Sequence, residues 1–354
     1  MEQIFSEAEV ILGVDTHLDV HVGVVIDQVG RVQGTHSIPT NALGYEELLG
    51  WAQQFGSLKR AGVEGTASYG AGLTRFLQAK GITVIEVNRP NRMRRRSRGK
   101  SDPTDAESAA RAVLAEDANS VPKAQSGLAE ALRMLNVARR SAVKGKTQAV
   151  NQLRALLVSA PQAIREAALK VKPEQCIAAC MELDCGDEKN PVMASLTTTL
   201  RLLARRWSAL HGELKELDQH LSRLTKMAAP RLLERFGVGP QTAATLLITA
   251  GDNPTRLRNE AALAALCGVS PLQASSGKTN RHRLNRGGDR QANNALWTIA
   301  LVRMRGDART REYVARRTGE GLSKKEIFRC LKRYIVRELY PLILADLKDA
   351  AQIA

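Results

Sequence analysis

Over the first 120 residues, short apolar runs that end in an acid alternate with stretches of helical spacing. Residues 10–14 are an apolar run closed by Asp15. Residues 21–26 read as a second strand closed by Asp27, and residues 31–38 as a weaker third. Residues 41–54 are helical, with Leu43, Leu48, Leu49 and Trp51 as apolar positions. Residues 60–63 form a short strand ending at Glu64. Residues 72–79 form a helix stopped by Gly81, and residues 82–87 a further strand.

Beyond residue 120 the period changes from two to about 3.5. Leu128, Leu132, Leu135, Ala142, Ala149, Leu153 and Leu156 follow a 4-3 spacing, with Arg139 and Lys146 breaking the seam. A second arm repeats without a miss through Leu196, Leu200, Leu203, Trp207, Leu210, Leu214, Leu217, Leu221 and Leu224. A sustained 3.5-residue repeat is a coiled-coil seam, and each arm spans about 45 Å at 1.5 Å per residue. Pro161, Pro173 and Pro191 interrupt the helix between the arms. The arms can pair within one chain, the second can dimerise with another copy, or both.

Residues 232–244 then read helix, Gly237-Val238-Gly239 turn, helix, a helix-hairpin-helix pattern. Its glycines would let backbone N–H groups approach a phosphate; a bare structural turn is the alternative. Residues 322–347 are a basic amphipathic helix region. The expected organisation is therefore α/β at residues 1–120, helical coiled-coil arms at 121–228, a mostly helical domain at 229–320 and a basic helical tail at 321–354. The order β-β-β-α-β-α-β of the first part is that of an RNase H-like domain.

Composition narrows the partner. Fifty-two Lys and Arg against 36 Asp and Glu give a formal charge of +16, which points to a polyanion. No apolar run is long enough to span a bilayer, and the acidic N-terminus is not a secretory signal, so a cytoplasmic, nucleoid-associated protein is expected. Five cysteines suit a reducing compartment, and Cys176, Cys180 and Cys185 lack zinc spacing. Residues 89–100 hold seven cations, among them Arg92, Arg94, Arg95, Arg96, Arg98 and Lys100. Such a run without balancing acids meets phosphate, or is a solvated loop.

Four carboxylates are candidates for one site. Asp15 and Glu64 end strands that lie side by side in an RNase H-like sheet. Asp102 and Asp105 are spaced i, i+3 at the start of a helix and share a face. Such a cluster repels itself unless cations neutralise it; two Mg²⁺ ions would do so and polarise a phosphodiester. Taken singly, an acid after a strand is more often a turn or helix cap than a ligand. Asp19, Asp27 and Glu86 are placed outside the site, and His17 and His21 flank the Asp15 turn. A second candidate is the polar stretch 274–289. There Ser275 or Ser276 could attack phosphorus, with Lys278, Arg281, Arg283 and Arg286 stabilising the phosphoryl charge, or could simply hydrogen-bond a phosphate.

These motifs carry a resemblance. Gly13-Val14-Asp15-Thr16-His17, Val63-Glu64-Gly65-Thr66 and Lys100-Ser101-Asp102-Pro103-Thr104-Asp105-Ala106 resemble the N-terminal domain of DEDD transposases. Gly268-Val269-Ser270-Pro271, Ser275-Ser276-Gly277-Lys278 and Arg286-Gly287-Gly288-Asp289 resemble the C-terminal domain of the same insertion-sequence family, the bridge-RNA-guided recombinases. The resemblance implies a RuvC-like domain in which Asp15, Glu64, Asp102 and Asp105 bind Mg²⁺. It implies that Ser276 is the nucleophile and forms a phosphoserine link to a DNA 5′ phosphate. It further implies a homo-oligomer, dimer or tetramer, with the serine supplied in cis or in trans, and a structured guide RNA that pairs with element and target DNA. The competing readings are a Holliday-junction-type endonuclease in which water attacks and Ser276 only binds phosphate, an actin-like ATPase, and a non-catalytic nucleic-acid scaffold. The ATPase needs a duplicated domain that the heptad region displaces.

Overall fold

The structure, a computed structural model, describes residues 8–87, 101–184, 190–278 and 282–352. The chain forms two compact units, Met1–Gln125 with Asn253–Arg258, and Ser126–Asp252 with Asn259–Ala354.

The first unit is built on a five-stranded sheet of β1 (Glu9–Thr16), β2 (Val20–Ile26), β3 (Val32–Pro39), β4 (Ser57–Glu64) and β5 (Thr83–Val87). Their order across the sheet is β3-β2-β1-β4-β5. The β1–β2 and β2–β3 pairs are antiparallel, whereas β4 runs parallel to β1, and β5 to β4. Among the described residues the sheet is covered by the helices α1 (Ala42–Gln53), α2 (Ala71–Ala79) and α3 (Asp102–Leu114). Because strand side chains alternate between faces, β1 contributes to two cores. Val10, Leu12 and Val14 join Leu48, Leu49, Leu73 and Leu77 of α1 and α2 on one face. Ile11 joins Ala106, Ala109, Ala110 and Val113 of α3 on the other. Leu43, an apolar position in the helical pattern, is 81% exposed and lies outside the core. The segment Asn253–Arg258 returns to this unit. Asn253 Nδ2 donates to the Pro122 carbonyl at 2.9 Å and Arg256 Nε to that of Val121 at 2.9 Å.

The α3 face of the sheet is closed by two glycines. Gly13 and Gly62 are register partners on β1 and β4. A Cβ on Gly13 would come within 2.1 Å of the Ala106 carbonyl oxygen and 2.4 Å of the Ala110 nitrogen. A Cβ on Gly62 would reach the Ala109 carbonyl at 2.7 Å. The helix backbone therefore rests on the sheet backbone, and the alanines of α3 are the side chains small enough to permit it.

In the second unit, α4 (Leu128–Val158) and α7 (Pro191–Ala228) are long helices that pack on each other. Arg139 Nε donates to Asp218 at 2.5 Å, and Lys146 Nζ meets His211 Nδ1 at 2.8 Å, so the helices are antiparallel. The two cations that break the apolar seam are thus the ones that bridge it. Lys146 also lies 4.4 Å from the centroid of the Trp207 ring. Leu200, Trp207, Leu214 and Leu221 are buried, whereas Leu203, Leu210, Leu217 and Leu224 are half-buried along the seam's edge. Between the long helices, α5 (Gln162–Ala168) and α6 (Pro173–Met181) start at or beside prolines and close the core around Leu153, Leu157 and Leu200. Cys176 and Cys180 lie inside it, and burial with the neighbouring Cys176 pushes the Cys180 thiol up to about 12. A protonated, buried thiol suits packing rather than metal ligation; Cys185 lies outside the described residues.

The rest of this unit comprises α8 (Pro230–Leu233), α9 (Pro240–Ala250), α10 (Glu260–Leu266), a two-residue hairpin of β6 (Leu272–Gln273) with β7 (His282–Arg283), α11 (Arg290–Gly306), α12 (Ala308–Gly319) and α13 (Lys324–Ala350). The basic C-terminal helix is no free appendage. Its Ile327, Leu331, Ile335, Leu339 and Ile343 are buried, and the carboxylate of Asp346, wholly buried, accepts from the backbone N–H groups of Arg231 and Leu232 at the start of α8.

Gly13→Ala is expected to cost about 1–3 kcal/mol, the usual penalty for overfilling a packed contact. Gly50 in α1 has no atom within 4 Å of its would-be Cβ. Gly50→Ala is therefore expected to stabilise by about 0.5–1 kcal/mol, the helical advantage of alanine. Urea denaturation of both variants checks the contrast; equal effects would mean that α3 does not rest on Gly13.

Candidate functional site

The parity that seats α3 also aims the site. Ile11, Gly13 and Asp15 share the α3 face of β1, and Gly62 and Glu64 share that face of β4. Val14 pairs with Val63, so Asp15 and Glu64 each stand one residue past a register pair at neighbouring strand ends. Thr16 Oγ1 donates to the Glu64 carbonyl at 2.9 Å and ties the two ends together.

Helix α3 supplies the remaining acids. Ser101 is its N-cap residue, Pro103 stands in the first turn, and Asp102 and Asp105 are the acids of that turn. Pro103 has a local explanation there, since the first turn has no use for its missing N–H. Asp105 is buried and Asp102 half-exposed. His17 Nε2 lies 3.3 Å from Asp15 Oδ2 and 3.4 Å from Asp102 Oδ1, so the imidazole bridges strand and helix. One ligand atom each from Asp15, His17 and Asp102 lies within 4.8 Å of the others.

The charge balance favours a cation. Burial pushes the Asp15 carboxyl above its ordinary range. His17 opposes that shift, while the Asp105 and Asp102 charges add to it. Among the described residues no Lys or Arg lies within ion-pair distance of Asp15 or Asp102. Two carboxylates and an imidazole, with a third carboxylate acting on the first, fit a divalent ion: the oxygens suit Mg²⁺ or Mn²⁺, and the imidazole favours the transition metal.

His17 is the site residue that sequence reasoning undervalued. Its signal was its position two residues after Asp15, which returns it to the same side of the chain. His21, by contrast, is fully buried, stacked on Tyr45 at 5.8 Å, with its basicity lowered by burial. It belongs to the core. Asp27 accepts from the Val29 and Arg31 backbone N–H groups in the β2–β3 turn, and Glu86 lies 3.8 Å from Arg256. Both have structural partners away from Asp15.

The serine stretch lies in the second unit. Ser275, Ser276, Gly277 and Lys278 follow β6 and are exposed, as are Arg283 on β7 and Arg286 beyond it. The base of this hairpin is tight. A Cβ on Gly268 would meet the Gly287 carbonyl at 2.2 Å, and one on Gly288 the Gly268 nitrogen at 2.3 Å. Both glycines have positive φ. The Asp289 N–H donates to the Leu266 carbonyl at 2.6 Å, and its carboxylate accepts from Gln291 and Ala292 to cap α11. The Gly268–Pro271 and Arg286–Asp289 motifs are thus two halves of one support.

At the glycine turn, the Gly239 N–H donates to Thr242 Oγ1 at 3.0 Å, and the Phe236 carbonyl accepts from Arg303 at 2.9 Å. The Gly239 donor expected for phosphate is already used inside the turn, while Gly237 adopts φ +84° there. Arg92, Arg94, Arg95, Arg96, Arg98, Lys100 and Arg281 lie outside the described residues.

A buried carboxylate whose ionisation is disfavoured in the fold stabilises the protein below the ordinary carboxylate range, and that contribution is lost as pH rises through the elevated value. Without divalent ions, Asp15→Asn is therefore expected to raise the thermal midpoint at pH 7, with the gain shrinking toward pH 4. Adding Mn²⁺ or Mg²⁺ should stabilise the wild type, by about 2.7 kcal/mol at a hundredfold excess over Kd, and leave Asp15→Asn unmoved. Mn²⁺ should act at lower concentration than Mg²⁺, and His17→Ala should narrow that difference. Melting curves in a metal chelator and in each ion decide it; an unshifted wild type would remove the cation from this site.

Two family models match this chain. Residues 12–160 match the IS110 DEDD family model, described as Transposase. Residues 229–315 match the model described as Transposase IS116/IS110/IS902 family. A relative from Streptomyces coelicolor, "Insertion element IS110 uncharacterized 43.6 kDa protein", is 30% identical over 166 residues, which is 45% of this chain and 41% of the relative. The alignment thus spans about two-fifths of that relative's length. No described helix is long and apolar enough to cross a membrane. With both matches in this order along one chain, the protein belongs to the IS110 family of insertion-sequence transposases.

Proposed function

We propose that this chain is a DNA recombinase that moves its insertion sequence by cutting and rejoining strands through a serine. The observation that carries the reading is the meeting of Asp15, His17 and Asp102 at one sheet end, with Asp105 acting on Asp15, in a chain that matches both transposase models. The strand order β3-β2-β1-β4-β5 supports an RNase H-like, RuvC-like class for this unit. Asp15, Glu64, Asp102 and Asp105 would hold divalent ions, two Mg²⁺ in the simplest case, which when bound neutralise the phosphodiester's charge and polarise it.

The serine does the covalent work. Ser276 Oγ attacks phosphorus, the Oγ–P bond forms, the P–O3′ bond breaks, and the serine proton leaves with the 3′ oxygen as a hydroxyl. The 5′-phosphoserine keeps the phosphodiester's energy, so a new 3′ hydroxyl can reverse the step without a nucleotide cofactor. Lys278 after β6, Arg283 on β7 and Arg286 beyond it would offset phosphoryl charge. Acids and serine would act together in a homo-oligomer, and a structured RNA encoded by the element would choose the sites by base pairing.

The test is a covalent trap. The chain is expressed with its element, including the flanking non-coding DNA, and lysed rapidly in detergent. Wild type and Ser275→Ala should carry DNA on the protein, whereas Ser276→Ala and Asp15→Asn should not. Deleting the flanking non-coding region should abolish the adduct without changing protein level. Divalent-ion-dependent cuts that survive Ser276→Ala with no adduct would instead establish a water-using, Holliday-junction-type endonuclease.

A further inference from the structure

A cavity of about 750 Å³ opens between the serine hairpin and α13, within the second unit. One wall is the Gly268–Pro271 support and β7. The other is the basic face of the C-terminal helix, with Arg329, Lys332, Arg333 and Arg337, and with Tyr334 beside them. Arg283 enters from β7.

Lys332 is the residue the fold alone does not explain. It exposes 9% of its surface. Its Nζ donates to Asn293 Oδ1 at 2.7 Å, and Asn293 Nδ2 donates to the Cys267 and Gly268 carbonyls at 2.9 and 3.1 Å. That chain of bonds runs into the base of the hairpin. Three of these cations already have acids: Arg333 and Arg337 share Glu260, and Arg329 has Glu326. Glu260 forms a two-pronged pair with Arg333 and lies 3.9 Å from Arg337, and Glu326 lies 3.6 Å from Arg329. Among the described residues neither Lys332 nor Arg283 has a carboxylate within 4 Å. Burial and the nearby Arg329 both press the Lys332 ammonium toward its neutral form. An ammonium held in a basic cavity without a counter-charge costs stability; a strand phosphate arriving there would offset that cost and leave two ammonium hydrogens in use.

We propose that this cavity is a phosphodiester-binding site in which Lys332 and Arg283 hold a nucleic-acid backbone at the foot of the Ser276 loop. The assignment rests on the recombinase reading for the relevance of nucleic acid, and on the cavity itself for the site. Occupancy reports to the loop through Asn293, because the bond from Lys332 to Asn293 and those from Asn293 to Gly268 lie in series.

Binding of labelled single-stranded DNA and single-stranded RNA of one sequence, by fluorescence anisotropy of the full chain in a metal chelator, tests the site apart from the metal centre. Lys332→Gln should weaken binding about fivefold to tenfold, alike for different sequences, and lower the slope of log K against log salt by about 0.7 to 0.9. Arg283→Gln should do the same. A loss confined to DNA places a DNA strand in the cavity, and a loss confined to RNA places the guide there; inorganic phosphate at millimolar concentration should compete only weakly. Lys332→Met should melt at or above the wild-type midpoint in the absence of nucleic acid, since the variant removes an uncompensated buried charge. Unchanged affinity and salt slope in both substitutions, with wild type binding, would overturn the cavity proposal and leave the recombinase reading standing. A wild type that binds neither strand would overturn both. A lower midpoint for Lys332→Met with unaltered binding would make the lysine a structural residue.

Discussion

The contact of α3 with the glycine pair Gly13 and Gly62 is the constraint on which the acidic site depends. Two glycines in register let a helix backbone lie on a sheet backbone. At that distance the first turn of α3 overhangs the ends of β1 and β4. A helix held off by ordinary side chains would carry Asp102 and Asp105 away from Asp15, and His17 could not span the gap. The same closeness buries Asp15 and raises its proton affinity. The tight packing and the unfavourable charge are therefore one design: the core is compressed where the acids meet, and burial there disfavours the ionised Asp15.

Much of this was legible in the chain. An acid at the end of an apolar run, twice, predicts two carboxylates at neighbouring strand ends once the strands pair. The i, i+3 spacing of Asp102 and Asp105 predicts a shared helix face. Strand parity then fixes the face, because 11, 13 and 15 cannot point apart. The rest was not legible, for physical reasons. His17 and His21 look equivalent as flanks of one turn, yet His17 reaches the acids while His21 turns inward onto Tyr45. Only the position of α1 separates them. Leu43 and Leu48 share a helical pattern, but the helix start leaves Leu43 in solvent. Arg139 and Lys146 read as defects in a seam. Their partners, Asp218 and His211, lie 79 and 65 residues away, beyond any local pattern.

The glycine turn shows the opposite limit. A Gly-x-Gly between helices offers donors to phosphate only if those donors are spare. Thr242 already occupies one of them, and Arg303 fastens the turn through the Phe236 carbonyl. The sequence pattern is compatible with phosphate binding and with a closed structural turn, and hydrogen-bond bookkeeping weights the second use for Gly239.

The serine loop reuses the principle of the acidic site with different parts. Gly268, Gly287 and Gly288 bring two chain segments, twenty residues apart, into backbone contact, and Asp289 fastens the junction by capping α11. A loop that presents an exposed hydroxyl, as proposed for Ser276, would gain nothing from packing its own tip. Its precision has to come from the base, where backbone meets backbone and no rotamer can slacken the contact. Lys332 sits two hydrogen bonds from that base, through Asn293. A phosphate bound there would act on the loop's foundation rather than on the serine itself. On the proposed reading the labour would be divided: the acids would fix where charge is neutralised, the glycine junction where the serine hangs, and the buried ammonium would couple that junction to the strand.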